Sequence, residues 1–157
     1  MPNDAPIIER LHANAPQLAV ISGWTYDMWG DLHPEKGPME WFAENQKNCS
    51  PAGVPSVFVA SRQGQPVGTA SLVSQDMNAR PELTPWLASV YVVPEARGQG
   101  IASALVQRVE REARHAGVER LYLYTPDQQR LYQRLGWQAQ EHLEYRGEHV
   151  TLMTRRP

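Results

Sequence analysis

The segment SVYVVPEARGQGIASALVQRVEREA, residues 89–113, constrains the fold of this chain more than any other. An alternating stretch of β-branched and aromatic residues runs into Pro94 and then into Arg97, Gly98, Gln99 and Gly100. Beyond the turn, Ile101, Leu105, Val109, Ala113 and Ala116 recur at intervals of three and four. Period two followed by period 3.6 reads as strand, turn, helix, and Gly117 offers the helix a stop. A second alternating run, RLYLYT over 120–125, comes next. Two strands joined by a crossover helix make a βαβ unit with parallel strands. Each glycine costs backbone entropy that alanine would not, so two in one turn need a conformational or steric reason.

The rest of the chain supplies a sheet for that unit to join. APIIERLH (5–12) predicts a first strand, and LAVISGWTYDMW (18–29) has helical spacing with Gly30 at its end. Pro38 suits the first position of a second helix running to about Asn48. SVFVASR (56–62) and PVGTASLVS (66–74) flank RQGQ as a hairpin. QDMNARPELTP (75–85) has no apolar period and predicts a loop, and WLASVYVV (86–93) is the strand leading into the glycine turn. Pro126 predicts the start of a short helix ending at Gly136, and a last strand pair turns at Arg146 and Gly147. The fold class expected is α/β: one domain, 1–157, with a mixed, mostly antiparallel sheet around a central parallel pair and helices on both faces.

Bulk properties exclude several kinds of partner. At 157 residues, folding buries about two thirds of the extended chain's surface, enough for a real core. Net charge −2 and a pI near 6.2 argue against coating a polyanion, so no nucleic-acid partner is expected. A single cysteine, Cys49, excludes an internal disulfide and fits a reducing compartment. MPNDAPIIERL lacks a basic, apolar leader, and no apolar run nears the ~20 residues of a membrane helix. The expectation is a cytoplasmic protein with no membrane partner. The five histidines show no metal-ligand spacing, so no metal is expected.

What the glycine turn holds follows from its place. A helix start presents amides without partners and a partial positive charge, glycine lets a ligand approach them, and Arg97 adds a fixed charge. That combination suits a phosphate or diphosphate. A triphosphate loop would close on Gly-Lys-Ser or Gly-Lys-Thr, but the lysines, Lys36 and Lys47, lie far upstream. A dinucleotide site would want a third glycine where Ser103 stands, and an acid where the next strand ends in Tyr124 and Thr125. A tight turn that holds nothing is the remaining alternative.

Arg97-x-x-Gly100-x-Ala102 resembles the acyl-CoA diphosphate motif of the GNAT acetyltransferase family, and LYQRLGW (131–137) is similar to that family's second block. The resemblance covers roughly residues 56–156, while 1–55 match only as two helices after a strand. It implies a CoA-binding core with a C-terminal hairpin over 56–157, acceptor-side helices over 1–55, and acetyl-CoA as the acyl donor. By that resemblance the backbone of Gly98, Gln99, Gly100, Ile101 and Ala102 cradles the diphosphate with Arg97 beside it. The strand before the turn bulges around residues 90–92 and splays from its parallel neighbour to admit pantetheine. Val92 then bonds the pantetheine amides, and the Val90 amide faces the thioester oxygen. Tyr132 protonates the departing sulfur. Thr125 stands where the family often has a pantetheine-binding Asn, a departure from the pattern.

A second departure concerns the base that frees the amine. Family members that place it on the central strand use His or Glu, whereas this chain has Trp86, Leu87, Ala88 and Ser89 there. Glu82 and Asp76, in the loop entering that strand, are the nearest carboxylates, of a type ordinarily solvated. A lysine-type amine with pKa ~10.4 is almost wholly charged at pH 7, so a site without a strong base suits an α-amine near ~8. By resemblance the acceptor meets Trp24, Trp29 and Asp31 of the first helix and its loop, with Trp86 and Tyr124 as a floor. The implied activity is acetyl transfer to a small-molecule amine or a peptide N-terminus, with pairing of two copies common in such folds. A non-catalytic acyl-CoA sensor or an interaction domain is the alternative.

Overall fold

The computed structural model describes residues 5–157. In chain order its elements are β1 (Ile7–Arg10), α1 (Gln17–Trp29), α2 (Pro38–Asn48), β2 (Ser56–Arg62), β3 (Gln65–Val73) and β4 (Trp86–Val92). They continue with α3 (Ile101–His115), β5 (Leu121–Thr125), α4 (Gln129–Arg134), β6 (Gln138–Tyr145) and β7 (Glu148–Arg155). The strands form one seven-stranded sheet in the order β1-β2-β3-β4-β5-β7-β6. Every neighbouring pair is antiparallel except β4 and β5. The expected mixed α/β sheet with its parallel βαβ pair is therefore what forms.

Alternation along β2 sets the two faces. Phe58 and Ala60 enter the core beneath α3, while Val57 and Val59 pack with Leu18 and Ile21 of α1 on the other side. Helix α3 buries Ile101, Leu105, Val106, Val109 and Ala113, at about 1.5–3 kcal/mol for each large side chain. β7 lies inside the sheet and β6 at its edge. The reason is readable in burial: Val150, Thr151, Leu152 and Met153 are covered on both faces, whereas β6 is mostly exposed and polar.

On α3, Arg108, Arg111 and Arg114 interleave with Glu110 and Glu112 in a pattern that reads as a solvated helix face, but the two acids are buried. Glu112 takes Arg10 at 2.7 Å, Arg108 at 3.0 Å and the Gly53 N–H at 2.8 Å. Glu110 takes Trp137 Nε1 at 3.0 Å and Arg155 Nε at 2.9 Å. Pro126 does not open α4, which begins at Gln129. Thr125 Oγ1 accepts the amides of Asp127 and Gln128, at 3.4 and 3.0 Å, and this local bonding holds a turn in place of a helix start. The 75–85 loop also contributes to the core, since Met77 is buried with Trp86 and Leu152. A lone apolar residue has no period to reveal it.

Candidate active site

The site begins with a fault in the sheet. Ser71 pairs with Ala88 but Thr69 pairs with Tyr91, so β4 carries one residue more than β3 across this stretch. Ser89 absorbs it at φ +56, in the left-handed region that non-glycine residues seldom occupy. The bulge therefore centres on Ser89, just before the expected 90–92. It reverses the alternation of β4: Leu87 faces the α3 core, and so do Val90 and Val92. Tyr91 is turned to the α1 side, where it meets Trp24 at 5.6 Å and Trp29 at 6.4 Å.

Past the bulge, β4 and β5 part. Their register holds only Trp86 opposite Tyr122, where the Tyr122 N–H reaches the Pro85 carbonyl at 3.1 Å. From there the strands open into a cleft of about 1170 Å³ lined by Leu87, Ala88, Ser89, Val90, Tyr91 and Val92 on one side and Leu123, Tyr124 and Thr125 on the other. The glycine turn closes one end. Gly98 and Gly100 have φ +75 and +83, and a Cβ at either would meet no protein atom within 4 Å. The first helical bond runs from the Ala104 N–H to the Gly100 carbonyl at 3.1 Å. The amides just before it, at the mouth of a 15-residue helix, are thus left for a ligand. Arg97 lines the same end, with Nε on the Val92 carbonyl at 2.9 Å and its guanidinium over Tyr91.

Tyr132 lies along the cleft on α4. It is buried, its ring packs edge-on to Trp137 at 6.1 Å, and Trp137 is fixed in turn by Glu110. Burial, helped by the Asp127 charge, pushes the phenol well above its ordinary range, so it keeps its proton at any physiological pH. Its hydroxyl bonds no other described residue.

The opposite end is aromatic and acid-lined, with Trp29, Trp41, Asp31, Asp76, Tyr124 and Glu148. Arg146, at the tip of the β6–β7 turn, straps this end together. Its Nη1 donates to the Leu32 carbonyl at 2.9 Å and its Nε to Tyr145 Oη at 3.2 Å. His33 sits edge-on to Trp41 at 5.5 Å. Burial, then the positive charges of Arg146 and Lys36, hold His33 below its ordinary value and keep it neutral. Cys49 lies outside the cleft, and burial raises its thiol to about 11, an inert group at neutral pH.

Of the residues singled out by sequence, the cleft brings together Trp29, Asp31, Tyr124, Thr125, Tyr132, Val90, Val92, Arg97, Gly98, Gly100, Ile101 and Ala102. Four do not line it. Trp86 is wholly buried beneath the sheet, Trp24 packs with the α1 core, Glu82 is exposed on its loop, and the Gln99 side chain turns out to Arg62 at 2.6 Å. Thr125 holds the turn before α4 as well as lining the cleft. Sequence reasoning missed His33 and Trp41 as parts of one end, whereas Arg146 belongs to the hairpin turn that the resemblance sets beside the acceptor. Among the described residues no cluster of His, Cys, Asp and Glu could hold a metal ion.

A parallel strand pair split beside a bulge, with a glycine turn and an open helix start at its mouth, defines an α/β fold with a cleft in its central sheet. The chain belongs to the acetyltransferase (GNAT) family, whose model matches residues 23–137. Solved structures share the fold along almost the whole chain. An aminoglycoside 6'-N-acetyltransferase complexed with coenzyme A aligns with TM-score 0.75 at 18% identity, covering 96% of each chain. The yncA protein of Salmonella typhimurium, with its cofactor acetyl-CoA, aligns at 0.71 and 20% identity, over 97% of this chain and 94% of that one. An N-acetyltransferase from Staphylococcus aureus Mu50 aligns at 0.70 and 20% identity, over 96% and 98%. No curated protein matches the sequence.

Proposed function

We propose that the chain transfers the acetyl group of acetyl-CoA to a primary amine of a small cationic molecule, in the cytoplasm. The observation that carries this reading is the wedge between β4 and β5, with free amides at one end and an acid-lined aromatic pocket at the other. The residues present fit coenzyme A. Its diphosphate would lie on the α3 amides against Gly98 and Gly100, where no side chain intrudes, with Arg97 at hand. Its pantetheine arm would run along the unpaired edge of β4 as an added strand.

When bound, acetyl-CoA supplies a thioester carbonyl open to attack by an amine. The remaining work belongs to the protein. The amide of Val90, in the bulged segment, would donate to the carbonyl oxygen as negative charge grows there. Tyr132 would deliver a proton to the sulfur, and its raised pKa means that it carries that proton at neutral pH. The Val92 carbonyl is occupied by Arg97, so only its N–H side would be free for pantetheine.

A small acceptor is supported by the strap through Arg146, which bounds the acid-lined end and favours a compact amine over a peptide N-terminus. The aminoglycoside enzyme that shares this fold acts on one such molecule. Release of CoA thiol, measured with acetyl-CoA against small polyamines, aminoglycosides and short peptides, tests the reading. Turnover on small cationic amines is expected. Tight acetyl-CoA binding with no turnover on any amine would leave a binding module instead.

A further inference from the structure

We infer that Asp76, in the loop between β3 and β4, takes the proton from the acceptor's ammonium group, and that the acceptor enters as a cation against Tyr124. This rests on the acetyl-transfer reading and adds the residue that sets its acceptor chemistry.

Position comes first. Asp76 and Tyr124 line the same end of the cleft, and the carboxylate stands near enough to help burial raise Tyr124 above its ordinary range. Tyr124 belongs to β5 beyond the point where β5 leaves β4, so Asp76 overhangs the opening between the strands. The loop is also held there. Asn78 donates its N–H to Tyr145 Oη at 3.1 Å and accepts the Tyr145 hydroxyl on Oδ1 at 3.0 Å. Tyr145 is buried and meets Tyr124 edge-on at 5.3 Å. A carboxylate anchored two residues from such a contact has little freedom to swing away.

Its bonding state points to a ligand. Asp76 is half-buried and has no hydrogen bond or ion pair with another described residue. Among the other acids on this side, Glu44 holds Lys36 at 2.8 Å, Glu35 holds Arg146 at 3.4 Å and Asp31 is exposed, while Glu148 is half-buried on β7 and is not the carboxylate in the loop that overhangs the strand opening. An unpaired, crowded carboxylate is costly unless a cation comes to it. Burial pushes Asp76 up to about 7, against the pull of Lys36 from the α1–α2 loop and Arg146 from the hairpin. Tyr124, Tyr145, His33 and Glu148 complete the titratable groups around it. A carboxylate poised near neutrality suits proton exchange with an amine. The neutral His33 is the competing base, but its Nδ1 is turned toward Glu35 at 3.4 Å.

The proton balance closes. One N–H bond of the ammonium breaks, its electron pair stays on nitrogen, and the proton goes to a carboxylate oxygen of Asp76. That pair forms the N–C bond to the acetyl carbonyl as the C–S bond breaks. A second proton leaves nitrogen for solvent as Tyr132 gives its own proton to sulfur, and the Tyr132 oxygen takes a proton back from solvent, so the nitrogen loses two and keeps one. Asp76 then returns its proton to solvent.

The test compares wild type, Asp76→Asn, Asp76→Glu and His33→Gln on one small amine across pH 5.5–10. Asp76→Asn should lose about 100-fold in kcat/KM at pH 7 with unchanged acetyl-CoA affinity by calorimetry. The loss should narrow at least tenfold once pH exceeds the amine's own pKa, where the amine needs no base. Asp76→Glu should recover part of the activity and keep the limb that rises near pH 7. A 13C NMR titration of the Asp76 carboxyl, independent of turnover, should have its midpoint near 7. A wild-type pH profile in Asp76→Asn, an equal loss at every pH, a midpoint near 4, or loss of the limb in His33→Gln alone overturns the inference. Thiol release by the wild type judges the acetyl-transfer reading separately, so the two failures are distinguishable.

Discussion

Replacing Asp76 by asparagine should make the protein more stable, and by an amount that depends on pH. Burial raises this carboxyl from an ordinary value of 3.8 to about 7. The folded value lies above the unfolded one, so between about pH 4 and pH 7 the folded chain keeps a proton that the unfolded chain has released. Stability therefore falls as pH rises through that window and stays low above it. Three pH units at ~1.36 kcal/mol each give a penalty of about 4 kcal/mol at pH 8, and partial access to water reduces it to about 2–4. At pH 5 less than half of that applies, because only about one pH unit of the window between the two values lies below it. Asparagine keeps the shape and removes the charge. For a chain of this size each kcal/mol moves Tm by about 2–4 °C, so the variant should melt about 4–16 °C higher at pH 8 and only a few degrees higher at pH 5. Calorimetric melts of both proteins at the two pH values decide the matter. Equal differences at pH 5 and 8, or a variant less stable at pH 8, would refute the claim that folding forces a charge into a poorly solvated place. The strain is what a proton-exchanging group at this position would require, a stability cost retained for function.

Three more perturbations probe the rest of the molecule. Tyr132→Phe should lower kcat by about 100-fold or more while leaving acetyl-CoA affinity within about twofold, and equal turnover would remove the phenol from the chemistry. Gly100→Val places a β-branched residue at φ +83 with its side chain in the open mouth of α3, so acetyl-CoA affinity by calorimetry should fall at least about tenfold, and unchanged affinity would remove the cradle. Glu112→Ala strips Arg10, Arg108 and the Gly53 N–H of their shared acceptor and should cost about 2–3 kcal/mol at pH 7. Although burial opposes it, the Gly53 N–H with Arg108 and Arg10 holds Glu112 below its ordinary value; its contribution is thus present above the unfolded pKa and should fade in urea melts as pH drops through the folded one.

Local pattern determined much of this protein. The alternating run before Pro94, the glycines at 98 and 100 and the helical stripe from Ile101 dictate strand, turn and helix from residues a few positions apart, because side-chain period and positive φ are short-range properties. The glycine-turn end of the cleft was legible for the same reason, since α3's free amides follow from where a helix starts. Tyr132 was legible by resemblance, through a block whose neighbours Gly136 and Trp137 are close in sequence.

Tertiary structure alone decided the acceptor end. Asp76, Tyr124, Trp41, His33 and Arg146 come from five separate elements or loops, and no spacing in the chain announces that they meet. The bulge at Ser89 likewise had no signal of its own, because it arises from register against β3 and turns Tyr91 to α1 only after that pairing forms. Trp24 and Trp86, aromatic residues that sequence assigned to the pocket, went to the core because burial of a large ring depends on which layers close over it. Ionisation followed the same rule: an aspartate in a loop is ordinarily solvated, and it is the packing of Tyr124, Tyr145 and the 75–85 loop around it that strips water from Asp76.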